Sequence, residues 1–115
     1  MTFTLRAIPP GAGGLAPPYI TLSGNSIVAV TPLSISLCYN YTARGQASAG
    51  LLVLSIVETE ANRVCSPEQT DIVGATIAAA DVASGLRTVS LVDRVVRLDG
   101  SAHESVLAQA DINVP

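Results

Sequence analysis

Apolar and polar residues alternate with period two over most of this chain, which is the signature of strands that bury one face. The longest run is Leu33, Ile35, Leu37, Tyr39 and Tyr41, interleaved with Ser34, Ser36, Cys38, Asn40 and Thr42. Successive strand side chains point to opposite faces, so this run predicts one antiparallel strand with its apolar series in the core. Before it, Tyr19 to Leu22 and Ser26 to Val30 flank Ser23-Gly24-Asn25, a turn cluster that closes hairpins. After it, the small and polar stretch 43–50 reads as a flexible connection into Leu51 to Val57, which is apolar on both faces and suits a central strand.

Residues 66–84 carry opposing signals. Ser66-Pro67-Glu68-Gln69 matches a capping box with proline at the first helical position. Ile72, Val73, Gly74 and Thr76 lower helix propensity, however, and no 3.6-residue stripe survives, so a turn followed by a strand over Ile72 to Ala79 is the preferred reading. Beyond the turn Ser84-Gly85, the segment Leu86 to Leu98 changes parity between Val89/Leu91 and Val92/Val96, which predicts a bulge near Val92 to Arg94. Asp99-Gly100-Ser101 then turns the chain into a last strand in which Val106, Ala108, Ala110, Ile112 and Val114 alternate with Leu107, Gln109, Asp111 and Asn113.

At the start of the chain Phe3, Leu5 and Ala7 alternate with Thr2, Thr4 and Arg6, a short strand that would add to a sheet of its own or another subunit. The following Pro9-Pro10-Gly11-Ala12-Gly13-Gly14-Leu15-Ala16-Pro17-Pro18 has no periodicity and reads as an arm. The expected organisation is therefore an N-terminal strand and arm over 1–18 and a domain over 19–115. Seven to eight strands with short turns predict an all-β chain, a single antiparallel β-sandwich of immunoglobulin-like or jelly-roll type. No internal repeat is visible.

Composition narrows the classes. A chain of 115 residues is long enough for one core, and 49% apolar against 13% charged residues, with a mean hydropathy of +0.48, excludes disorder. With one Phe, three Tyr and no Trp, core volume must come from Val, Ile, Leu and Ala. The net charge of -3 argues against nonspecific nucleic-acid or anionic-membrane partners, which need a basic footprint. All six basic residues are arginine, so lysine-dependent Schiff-base and Walker-type phosphate chemistry is not expected. Met1 to Leu15 lacks the apolar core of a secretory signal, and no run approaches the roughly 20 apolar residues of a membrane span.

Candidate chemistry is sparse. The alternation puts Cys38 on the polar face with Ser34, Ser36 and Asn40, which favours free thiols at Cys38 and Cys65, with a surface disulfide as the rival. Neither cysteine has the spacing of a zinc ligand set. His103, beside Glu104, reads as a solvated hairpin-loop residue with no nucleophile motif nearby. Glu58 and Glu60 would share one side if their strand continues, either as an acid/base or ion-binding pair or, more commonly, as a solvated strand end. Asp93 and Asp99 flank Arg94 and Arg97, and salt links would explain them. Asn40-Tyr41-Thr42 fits a glycosylation sequon but falls inside a strand. No catalytic, cofactor or metal set is expected, and the candidate interface is Phe3, Leu5, Pro9, Pro10, Leu15, Pro17 and Pro18.

The run Asp81 to Leu91, the turn Asp99-Gly100-Ser101 and the closing Ala110-Asp111-Ile112-Asn113-Val114 resemble the last strands of small β-sandwich modules. Bacteriophage decoration, head-fibre and tail proteins have such endings, as do bacterial immunoglobulin-like surface domains. The resemblance covers about a third of the chain and is topological, so it carries over no functional residue. It implies a non-enzymatic virion accessory subunit, located in the virion, that associates with itself and with other capsid or virion proteins. The alternative is an exported, extracellular or cell-surface adhesion or carbohydrate-binding module, for which a Cys38–Cys65 disulfide and a signal in the precursor are expected. A sandwich enzyme would need a pocket built from His103, Glu58 and Glu60, and is the least expected.

Overall fold

Strands with one apolar face must bury it against another layer, and the computed structural model shows this done by two sheets. It describes residues 2–8, 17–61 and 70–115, without the side chains of residues 2, 7, 8, 70 and 71. Among the described residues the strands are β1 (Thr2–Ile8), β2 (Tyr19–Ser23), β3 (Ser26–Ser36), β4 (Tyr39–Ser48), β5 (Leu51–Glu60), β6 (Thr70–Ala80), β7 (Gly85–Val96) and β8 (Ala102–Val114). One sheet has the order β1-β6-β3-β2 and the other β4-β5-β7-β8, which is an all-β sandwich of eight strands. Every pair is antiparallel except β5–β7, which is parallel because β6 crosses to the other sheet between them.

The two inner faces are aliphatic. Ile27, Ala29 and Leu33 of β3 and Val73, Ala75, Ile77 and Ala79 of β6 meet Leu52, Leu54 and Ile56 of β5 and Val89 and Leu91 of β7. Large and small residues alternate across the register, Ile27 opposite Ala79 and Ala29 opposite Ile77, which lets aliphatic side chains fill the layer without large rings. The one phenylalanine is used at an edge, where Phe3 of β1 seats its ring over Gly45 of β4 so closely that a Cβ at Gly45 would overlap it. Thus β1 adds to its own domain's sheet, and the sandwich includes residues 2–8 as well as the predicted domain.

The hairpin β2–β3 turns through Gly24-Asn25 as predicted, with Gly24 at φ +61, a value few side chains tolerate. Its pairing stops at Tyr19 opposite Val30. Extending that register would set Pro18 against Thr31 and Pro17 against Pro32, and proline has no N–H to give a ladder. On the other side β1 reaches only as far as Gly74 of β6. Beyond these limits the sheet is two strands wide, β3 and β6 alone among the described residues, and this end is called the narrow end below. β2 packs across β8 and β1 across β4, so past the end of β2 residues 102–106 of β8 are exposed on both faces.

Several expectations are corrected. The run 33–42 is not one strand: β3 ends at Ser36, Leu37 and Cys38 form a turn, and the chain enters the other sheet as β4. Leu37 is accordingly 65% exposed rather than buried. Residues 43–48 belong to β4 and are not a flexible connection, because they pair with β5 and Gly45 makes room for Phe3. The register irregularity does fall at Leu91/Val92, but Leu91 faces Ala108 while Val92 faces Val106, so the extra residue is Leu107 of β8. That bulge reverses parity and leaves Val106 exposed where an inward position was expected. The strand reading of 72–79 holds as β6, whereas the capping-box residues Ser66 to Gln69 lie outside the described residues.

Candidate functional site

The narrow end gathers most of the polar chemistry of the inner faces. Strand β5 continues through Glu58 and Glu60, so both carboxylates point inward, opposite Tyr41 and Tyr39 of β4. The parallel register with β7 sets Ile56 beside Asp93 and Glu58 beside Val95, which brings the Asp93 carboxyl to Glu58 on the same face. The two carboxyls are diagonal neighbours on adjacent strands of one inner face. Burial, then the neighbouring Asp93 carboxyl, pushes the Glu58 carboxyl up to about 8. Asp93 Oδ1 is buried and has no hydrogen-bond partner.

Around this pair the ends of the strands are tied together. The Tyr41 hydroxyl accepts from Ser36 N–H at 2.8 Å and donates to Ser34 O at 3.3 Å, linking the β4 sheet to β3. Burial, reinforced by nearby acidic groups, holds the Tyr41 phenol above its ordinary value. Glu60 Oε1 accepts from Leu98 N–H at 2.9 Å, and Arg97 Nη1 donates to the Tyr39 hydroxyl at 2.7 Å with its guanidinium 5.9 Å from the ring centre. Glu58 and Glu60 share a face, but each is engaged by a different partner.

The predicted local salt links take another form. Arg94 alternates to the outer face and pairs with Glu104 at 2.6 Å, while its neighbour Asp93 points inward. Asp99 accepts from Ser101 N–H at 2.9 Å and from Ser101 Oγ at 2.6 Å, and these bonds hold its carboxyl below the ordinary value. His103 is in β8 opposite Val95, not in a loop, and is exposed as expected. Asn40 of the sequon is exposed on β4.

Cys38 is disulfide-bonded, which corrects the expectation of a free thiol there; the chain's other cysteine, Cys65, lies outside the described residues. The sequence argument failed because Cys38 is in the turn between the sheets and not on the solvent face of an unbroken strand. Its N–H donates to Ser36 Oγ at 2.9 Å and its carbonyl accepts from Ala61 N–H at 2.8 Å, so the bridge anchors an already tethered corner. Reduction is expected to cost about 2–4 kcal/mol, read as a lower melting temperature in reductant. An unchanged melt contradicts a structural role for the bridge.

On the outer face of the β4-β5-β7-β8 sheet, a depression of about 400 Å³ is lined by Arg44, Gln46, Val53, Ser55, Val92 and Arg94 with Glu104. It offers guanidinium, amide and hydroxyl donors without a nucleophile held by a base, so its chemistry suits contact with a polar surface. Of the candidate interface residues, Phe3 and Leu5 are half-buried against the protein's own core, Pro17 and Pro18 are exposed, and Pro9, Pro10 and Leu15 lie outside the described residues. The Glu58–Asp93 pair has no sequence signal, since 35 positions separate them (93 − 58) and only the parallel strand order joins them. Comparison of the chain with protein-family models, curated proteins and solved structures finds no match.

Proposed function

We propose that the protein is a non-enzymatic structural subunit, a virion accessory component of the capsid-decoration, fibre or tail kind. It works by assembling with copies of itself and with other capsid or virion proteins. The observation that carries this reading is a set of exposed aliphatic side chains at the narrow end, where Leu37 and Leu98 occupy turns and Ile72 lies on β6, exposed by 65%, 58% and 51%. Turns ordinarily carry polar, glycine or proline residues, and exposed large aliphatics there suit contact with a partner surface. The proline-stopped ladder of β2 and β3 is compatible with the same reading, because it blunts strand addition where that pairing ends.

Light scattering of the purified protein, followed by co-sedimentation with virus particles, tests the proposal. A mass that is a multiple of 11.7 kDa together with particle binding is expected. A stable monomer without affinity for particles overturns it.

The disulfide at Cys38 favours a second reading, an exported immunoglobulin-like adhesion or carbohydrate-binding module, since such bonds persist in oxidising surroundings. Virion surfaces are oxidising too, so the bond is compatible with both. Saturable binding of glycans by the monomer, lost on Arg44→Ala at the outer depression, separates this reading from the first.

A further inference from the structure

We propose that Glu58 and Asp93 share one proton and form an alkaline-sensitive latch that keeps the narrow end of the sandwich closed. An ionised carboxylate only accepts hydrogen bonds, so two carboxyls side by side on one inner face, one with a buried oxygen that no donor reaches, are relieved by a proton held on one of them. The pair sits on adjacent strands of one inner face, and Asp93 Oδ1 is buried without a donor, so a second negative charge would be left uncompensated.

Among the described residues the groups around the pair offer no relief. From β4, Tyr41 faces Glu58 with its hydroxyl already committed to β3, and Tyr39 is engaged by Arg97. Glu60 of β5 adds a like charge one row outward and is bound to Leu98 N–H. From β8, Ser105 stands opposite Asp93 and His103, exposed, opposite Val95. Arg94 lies on the far face with Glu104. Across the core, β3 presents Leu33 and Ile35, neither of them ionisable, and the Asp71 side chain of β6 lies outside the described residues. Among the described residues no cation contributes to the environment that raises Glu58.

The direction of the pH effect follows from linkage. The folded protein holds the Glu58 proton up to about 8, against an ordinary value of 4.5, so it binds more protons than the unfolded chain in between. The stabilisation is complete below about 4.5 and is lost as pH rises toward about 8. With both carboxyls ionised, repulsion pushes the ends of β5 and β7 toward solvent, and the neighbouring Tyr41 contact with Ser34 and Ser36 is the first to yield.

Amide hydrogen exchange reports on this end residue by residue. In the intact protein, exchange at the Ser36 and Tyr41 amides, corrected for its intrinsic pH dependence, is expected to rise by about tenfold with a midpoint near 8. Glu58→Gln, which keeps a donor to Asp93 and cannot ionise, is expected to abolish the rise. Identical courses in both proteins overturn the proposal. Infrared spectroscopy of the unmodified chain gives a test independent of any variant: a protonated-carboxyl band at neutral pH, lost with the same midpoint. Absence of that band overturns the proposal equally.

Discussion

Leu54→Ala is expected to destabilise the protein by about 3 kcal/mol, lowering its melting temperature by roughly 10–15 °C. Leu54 is fully buried on β5, flanked by Gly45 of β4 and Leu91 of β7, and faces the aliphatic layer of β3 and β6. Truncation removes three carbons and leaves a cavity, because side chains held in two hydrogen-bonded sheets cannot collapse far into it. Leu86→Ala is the matching control: Leu86 is 68% exposed on the outer face of β7, and its loss is expected to cost no more than about 0.5 kcal/mol. Equal losses by chemical denaturation at the two positions would contradict the assignment of inner and outer faces.

Gly45→Val is the second large effect, expected at about 2–3 kcal/mol. The side chain would occupy the space of the Phe3 ring, which must then leave, carrying β1 away from its packing on β4 and exposing the edge of β6. Coupling is the informative quantity. In a Phe3→Ala background the space is vacant, so adding valine at position 45 is expected to cost little, since β-branched residues suit a strand better than glycine does. Additive costs in the double-mutant cycle would show that ring and glycine do not touch.

Period two made β2, the first half of β3, β7 and β8 legible, while β5 was read from a run apolar on both faces and β6 from residues that disfavour a helix. It misled at Leu37 and Cys38 for a simple reason. A turn of two residues preserves parity, so alternation runs unbroken through the point where the chain changes sheets, and neither residue is a turn former. β4 was hidden by its own packing, because Gly45 is small to admit a residue 42 positions away (45 − 3), and glycine read locally means flexibility. Asp93 looked like a partner for Arg94 in sequence, but adjacent strand residues face opposite ways, and its true neighbour is supplied by the parallel β5–β7 pairing. The candidate site was legible only in part: Glu58 and Glu60 were placed together on one face, while the disulfide and Asp93 depended on sheet order.

Cross-strand NMR contacts test the architecture most directly. The account predicts Tyr41 backbone contacts with Glu58, Leu54 with Leu91 in parallel register, and Leu33 with Val73, placing residues 33 and 41 in different sheets. Backbone contacts placing Leu33 and Tyr41 in one continuous strand beside a shared neighbour would contradict it.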